Sequence, residues 1–575
     1  MDAIAAGGWD VVIVGGGSAG CVLASRLSED PGRRVLLVEA GRDVKPGEEG
    51  GALLDMYPGR AAFDPANHWP RVAAHFAPIG HNAPERPPAR HYEQARLLGG
   101  GSSINGQVAN RGTPADYDEW AALGASGWDW QGVLPYFRKL ERDLDFDGPL
   151  HGSDGPIPIH RIPRERWPRF STATGEALDA LGFRDTGDQN GVFEDGWFPQ
   201  TLSNDGKNRV SATRGYLDAA VRARPNLAIL AGAQVDALVA EGARITGVEA
   251  SKDGRTIRIP ARRTVVAAGA IHSPALLLRA GIGPGGDLAR LGIDVRADRP
   301  GVGRNLQEHP GISVSAFVRP EARLGDTTRR HIHLALRYSS GLPGGTTSDM
   351  YLMAAARSAW HPLGTRIGTF VAWINKPHSR GRVVLDEGDP RRPAVAQFEF
   401  LADPRDAARL FESVRFMATL AATPPLARYL SDVSPSSYTG FAKALGRQTL
   451  RNWLITAPTA LAIDLVPGLR KAAFARFVAG GIALGDLVAD DDALEAYVRA
   501  RVFGQWHPCG TCRMGPAADR DAVVDPADAR VHGVAGLHVV DASVMPTVPR
   551  ANLNIPVLML AEKLADGLAA SERRG

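Results

Sequence analysis

Residues 10–27 read DVVIVGGGSAGCVLASRL, and no other stretch narrows the possible folds as far. DVVIV is a short β-branched run bounded by glycines, the pattern of a strand buried on both faces. CVLASRL follows with helical spacing, and RRVLLVEAG (33–41) is a second buried strand. Strand, glycine turn, helix and strand make a βαβ unit with a parallel pair. Gly15, Gly17 and Gly20 stand in G-x-G-x-x-G between the first strand and the helix. Such glycines permit a tight turn, let a pyrophosphate approach the backbone, and let helix pack on strand. The helix N-terminus then offers its free N–H groups to phosphate. Glu39 ends the second strand, 24 positions after Gly15, where a carboxylate accepts from ribose hydroxyls. Together these features predict a dinucleotide site. They leave FAD and NAD undecided, and the carboxylate argues only against a 2′-phosphate, hence against NADP.

The other segments suggest how this unit is completed. Residues 45–95, rich in Pro, Gly and Ala, predict irregular structure, and 117–142 predict helix with a break at the central glycines. Residues 226–268 alternate strands with turns and run into a Gly-Ala turn and a helix. Segments such as HIHLALRYS and TFVAWINK predict an antiparallel sheet across 330–420. Residues 490–502 predict helix, and LHVVD (537–541) one more buried strand before a loop and a last helix. Parallel-strand material therefore lies at both ends and in the middle. The expectation is a doubly wound, Rossmann-like α/β nucleotide-binding domain built from separated segments, with an α+β domain on an antiparallel sheet inserted into it. A length of 575 residues suits more than one domain. Sixty-six basic against 63 acidic residues leave no electrostatic footprint for nucleic acid. Three cysteines make no disulfide framework. The opening MDAIAAGGWDVVIVGGG lacks a basic n-region and an h-region, so a cytoplasmic protein without signal peptide is expected. No uninterrupted apolar run of about 18 residues predicts a spanning helix.

A second glycine cluster, RLLGGGSSINGQVANRGTPADYDEW (96–120), resembles the signature of the glucose–methanol–choline (GMC) oxidoreductases, which are FAD enzymes. GAIHSPALLLRAGIGP (269–284), PGVGRNLQEHP (300–310), WHPCGTCRMG (506–515) and the block from 538 to 566 resemble further motifs of that family in the same order. The resemblance runs from about residue 9 to 567, with an N-terminal region over 9–312 and a C-terminal region over 375–567. It implies an FAD domain of about 1–150, 210–312 and 500–575, and a substrate domain of about 151–209 and 313–499. YEQARLLGGGSSIN, GWDWQGVLPYF and PLHGSDGPIPI look most like the bacterial 5-hydroxymethylfurfural oxidase type.

The resemblance also implies residue roles. Gly15, Gly17 and Gly20, with Ser18 and Ala19, would hold the FAD pyrophosphate, and Glu39 the adenosine ribose. Arg96, Gly100, Ser103 and Asn105 would run along the pyrophosphate and flavin, and Val235 would meet the adenine through its backbone. Asp541 and Ala542 would sit by the pyrophosphate and ribityl chain, and Trp506, Asn554 and Ile555 would also contact the cofactor. Some members carry a flavin-linked histidine just before the matched asparagine. Here that position is Ile104, so a non-covalent FAD is expected.

QWHPCGTCRMG (505–515) holds Cys509-x-x-Cys512 beside His507. In the family, the histidine of this block faces the flavin, which makes His507 the candidate base and Asn552, in PRANLNIP, its partner. Oxidising an alcohol removes a hydride from carbon and a proton from oxygen; flavin takes the first and a protein group must take the second. Histidine suits that task near neutrality, and a neutral amide can hold the substrate oxygen without competing for the proton. A zinc site needs about four ligands, and only Cys21 remains, so no metal is expected and the thiols are bystanders. His272 and His309 are expected to be structural.

These features imply FAD-dependent oxidation of primary alcohols, furanic or benzylic, and of hydrated aldehydes, with O₂ returning as H₂O₂. The rivals are a dehydrogenase of the same family using a quinone or other carrier, and a non-oxidative FAD lyase or photodecarboxylase. Gln505, polar where compared oxidases carry a smaller apolar residue, is the point on which acceptor choice turns. Residues 440–485 carry six cations against Asp464. Phe441, Leu445, Leu450, Trp453 and Leu454 fit one apolar helical face. Three roles compete for this segment. A hairpin packed on its own domain and a lid near the flavin are favoured over attachment to a membrane surface.

Overall fold

The structure is a computed structural model and describes residues 2–77 and 89–572. Its first sheet is organised around the strand Trp9–Val14, which is buried almost throughout. On one side it pairs in parallel with Val35–Glu39, which pairs in turn with Leu227–Ala231. On the other it pairs with the end of Arg255–Val266, and Leu537–Val539 pairs beyond that. Five parallel strands drawn from three distant parts of the chain thus lie side by side.

Arg255–Val266 shows how residue pattern sets the layer. From Arg255 to Arg262, exposed and buried positions nearly alternate, and then Thr264, Val265 and Val266 are all buried. The alternating part pairs antiparallel with Arg244–Lys252, which pairs with Gln234–Glu241. A period of two gives one wet face, whereas the continuous apolar end enters the part of the sheet covered on both sides. Helix Ser18–Leu27 lies against helix Asn554–Glu572. Ser18 Oγ donates to Asn554 Oδ1 at 2.8 Å, and Arg26 grips the buried Glu562 through Nε and Nη2 at 2.8–3.1 Å.

The second sheet is antiparallel. Its order is Leu430–Pro435, Pro310–Val318, Ile367–Ile374, Met350–Ala355, Ile332–Tyr338, Gly196–Pro199. Phe503–Gly504 pairs with Pro310–Gly311 at one end, which delivers the 505–515 loop to the junction of the sheets. The expected antiparallel stretch 330–420 does not run to its end as strand, since Pro404–Ala422 is a helix on this sheet. Asp403 accepts from Arg405 N as N-cap, Pro404 takes the first helical position, and Leu410, Val414, Met417 and Leu420 form the buried stripe. The expected irregular segment 45–95 contains two short α-helices, one 3₁₀ turn and two short strands among its described residues; residues 78–88 lie outside them.

Residues 440–489 are helical: Gly440–Leu445, Leu450–Leu465, Pro467–Ala473 continuing as a π turn over Phe474–Val478, and Leu484–Ala489. The expected apolar face is not a packed one. Leu445 is buried, but Phe441, Leu450, Trp453 and Leu454 are 46–73% exposed. The hairpin is anchored by Ile463, Phe474 and Val478, which pack with Phe317 and Ile367, and by Asp464, bound by Arg323 and Arg366.

Candidate active site

The glycine turn and the 505–515 loop open onto one cavity of about 1270 Å³. At one end, Gly15 adopts φ +104°, and a Cβ there would lie 2.6 Å from Ala267 O. Gly20 does not line the cavity: a Cβ on it would sit 2.0 Å from Gly15 O, so its role is to seat helix Ser18–Leu27 on the turn. Gly17 has nothing near its missing Cβ and lines the cavity with Ser18 and Ala19. The second glycine cluster abuts the first. Gly99 N donates to Gly16 O at 2.7 Å, and a Cβ on Gly100 would lie 2.7 Å from Gly17 Cα.

Glu39 is buried at this end. Its Oε2 accepts from Gly16 N at 2.8 Å and its Oε1 from Gly41 N at 2.7 Å. Burial raises its pKa, against the backbone donors and the nearby Arg96, which lower it. Each oxygen keeps acceptor capacity, and Glu39, Arg96, Gly100, Asn105 and Val235 all line the cavity. Ser103 does not; its Oγ donates to Leu98 O at 3.0 Å beneath the glycines. Asp541 and Ala542 line the cavity. The Asp541 carboxylate is committed to Gly269 N, Ser273 Oγ and Ser543 N at 2.5–2.8 Å, so it holds two cavity-lining turns together. Asn554 lines the cavity and Ile555 is buried behind it.

Trp506, His507 and Asn552 line the same cavity. His507 Nε2 is 3.0 Å from Asn552 Nδ2, and His507 Nδ1 is 2.9 Å from His309 Nδ1. Only one proton can sit between the two Nδ1 atoms. When His507 holds it, Nε2 keeps its lone pair, which is the tautomer that can accept a proton. Burial, then the neighbouring His309, drives the His507 pKa well below its ordinary value, so the ring is held neutral. The sequence alone gives His309 a structural role only. It lies 198 positions from His507, and no local spacing announces that contact.

Both partners of the pair are held from behind. Buried Glu308 accepts from His507 N at 2.7 Å, from Gln505 N at 3.2 Å, from His309 N at 2.7 Å and from Tyr92 OH. Burial raises its pKa to about 7 despite these donors. Trp506, between two anchored residues, takes φ +61° and is 48% exposed; a non-glycine residue in that region marks a site where surrounding contacts override local preference. Asn552 N donates to Asn110 Oδ1 at 2.9 Å. The loop before it is pinned where Arg550 meets Asp116, the residue that also caps helix Pro114–Ala122.

Cys509 and Cys512 are free and buried, and burial raises both thiols far above their ordinary range. Cys509 pairs through its backbone with Gln307, at 3.0 Å both ways, and Cys512 N donates to Ser543 O at 2.7 Å. These residues act through the backbone that aims His507. Ile104 lines the cavity and offers no nucleophile.

An elongated dinucleotide fits this lining. The glycine cradle leaves room for phosphate at one end. Arg96 Nε, Gln505 Nε2 and Asn552 Oδ1 are buried without hydrogen-bond partners on residues that line the cavity. Arg96 lies over Trp69, 4.9 Å from the ring, and Trp69 packs on His272 at 4.7 Å, so His272 belongs to the wall of this cavity.

The GMC oxidoreductase family profile matches residues 9–311 and, in its C-terminal part, 377–561. The chain is 46% identical to a 5-(hydroxymethyl)furfural oxidase from Methylovorus sp., over 97% of this chain and 98% of that one. It is 31% identical to an oxygen-dependent choline dehydrogenase from Staphylococcus saprophyticus, over 97% and 94%. Among solved structures it is similar to a pyridoxine 4-oxidase from Mesorbium loti, with a TM-score of 0.77 at 28% identity over 98% and 99% of the chains.

Proposed function

The chain belongs to the GMC oxidoreductase family, and from that premise we propose that this FAD enzyme oxidises furanic and benzylic primary alcohols, and hydrated aldehydes, with O₂ as electron acceptor. The observation that carries the reading is the His507–Asn552 pair, 3.0 Å apart on the wall of the cavity that also holds the glycine turn. Gly15, Gly17, Ser18 and Glu39 would hold the pyrophosphate and ribose, and Asn105, Asp541 and Ala542 the middle of the cofactor. Ile104 supports non-covalent binding. When bound, FAD supplies the hydride acceptor. The protein supplies the rest. The substrate oxygen would meet both His507 Nε2 and the Asn552 amide from the cavity side, replacing the contact between them, and the amide orients it. Its proton passes to Nε2, and the amide steadies the oxygen as charge builds there. A hydrated aldehyde presents the same H–C–O–H unit, so the same pair serves a second oxidation.

We place the cofactor in the domain of the five parallel strands, about 1–150, 210–312 and 500–575. The substrate domain is then about 151–209 and 313–499, with Ile332 and Met353 of the antiparallel sheet facing the cavity. The test is flavin reduction without oxygen across a panel of alcohols. 5-Hydroxymethylfurfural and benzyl alcohol should bleach the flavin in the dark, and readmitted O₂ should restore it with one H₂O₂ per aldehyde. No bleaching by any primary alcohol would overturn the reaction, and reoxidation only by a dye would overturn the acceptor.

A further inference from the structure

Helix Leu450–Leu465 wears its apolar side outward. Its buried positions are Thr456, Ala460 and Ile463, a narrow stripe at i, i+4 and i+7. Leu450, Leu454, Leu461 and Leu465 are 73, 55, 57 and 71% exposed. Their spacings of four, seven and four set them in one line along the helix, away from the buried stripe. Trp453 borders the line, and Val466 and Leu469 continue it past the turn, all about half exposed. Each such leucine leaves in water apolar area whose burial would be favourable, and soluble proteins mostly scatter such residues singly. Within 440–485 the exposed charge has one sign. Lys443, Arg447, Arg451, Lys471 and Arg476 are exposed, and the one acid of 440–485, Asp464, is held by Arg323 and Arg366.

We propose that this helix is an attachment site for an anionic lipid surface, lying in the headgroup layer with its leucine line toward the acyl chains and its cations at the phosphates. Leucines with a bordering tryptophan and flanking Lys and Arg are the composition of a helix that rests in a bilayer interface. A second copy on the same face would oppose cation to cation. No helix of the described residues is long and apolar enough to cross a membrane, so the contact is interfacial. The segment just before the helix touches residues next to the cavity lining. Gln448 Nε2 donates to Arg60 O at 3.1 Å and Trp360 Nε1 to Gly446 O at 2.8 Å, while Gly59, Ala62 and Phe63 line the cavity. A bilayer under the helix would bring dissolved alcohols to that lining; this consequence rests on the proposed reaction, whereas attachment does not.

The test is co-sedimentation of the flavin-loaded protein with vesicles of phosphatidylcholine alone or mixed with phosphatidylglycerol. Flavin absorbance in the pellet reads binding, and benzyl alcohol turnover in vesicle-free buffer reads activity separately. The protein should pellet with the anionic vesicles. Partition should fall about tenfold or more in pure phosphatidylcholine, in high salt, and in the Leu454→Ser/Leu461→Ser variant, whose turnover in buffer stays that of the wild type. A protein that stays in the supernatant with both vesicles overturns the proposal, as does a variant that pellets like wild type. A dimer in buffer that the variant dissolves, without lipid binding, overturns it in favour of a contact between copies.

Discussion

His507 has its two ring nitrogens in different company, His309 behind and Asn552 with the cavity in front. On the proposed mechanism that asymmetry makes the buried imidazole a directed base, since a proton held on its own Nδ1 leaves only Nε2 to accept. His507→Ala should keep FAD bound and yellow while the anaerobic reduction rate falls about 10²- to 10⁴-fold in stopped-flow absorbance. Asn552→Ala should fall less, since it loses a hydrogen bond and not the proton acceptor. Wild-type bleaching by the His507 variant would remove it from the reaction. The sequence made His507 and Asn552 visible through motifs close around them. It hid His309 and Glu308, whose work is a contact and a set of backbone acceptances across some 200 residues.

At the scale of elements, the turn into helix Ser18–Leu27 depends on what is missing. Gly20→Ala would drive a methyl group to 2.0 Å from Gly15 O, so the helix must lift off the turn whose N–H groups face the cavity. The variant should fold, because its core neighbours remain, but purify with little flavin, measured as the visible-to-protein absorbance ratio. Full occupancy would refute the packing role. Elements governed by a local rule are legible in the sequence: the glycine turn, the strand that runs into a Gly-Ala turn and a helix near residue 268, and the helix 491–501. Pro404–Ala422 was lost among strands because the whole stretch was judged by its alternating parts, although Asp403 and Pro404 mark a helix start. In 450–465 the helical period was readable but not its direction. An apolar stripe predicts a buried face, and here tertiary packing takes Thr456, Ala460 and Ile463 instead.

Across the whole molecule, burial falls heavily on histidine. His272, His309, His331, His333, His361 and His507 all have lowered pKa values, with burial the first cause; His272 and His361 fall to about 4, and His309 and His333 to about 3. In the unfolded chain these rings take protons near pH 6.5, and in the fold they do not. Below about pH 6.5 the unfolded state therefore binds more protons, and stability falls with pH at about 1.4 kcal/mol per pH unit for each ring. Glu308, Glu39 and Asp541, raised by burial, act in the opposite sense but are fewer. The melting temperature should drop steeply from pH 7 to pH 5, and a flat profile in a thermal-shift series would show that these rings are solvated. The same long-range construction has a temporal side. The phosphate turn is made from residues 15–20, but the base, its amide partner and Asp541 arrive only with residues 507–552, and Leu537–Val539 then closes the sheet edge beside residues 264–266. A chain on the ribosome that stops before residue 507 carries the cradle without the proton acceptor. On the proposed mechanism, unfinished copies are catalytically mute, and alcohol oxidation waits until the polypeptide is nearly complete.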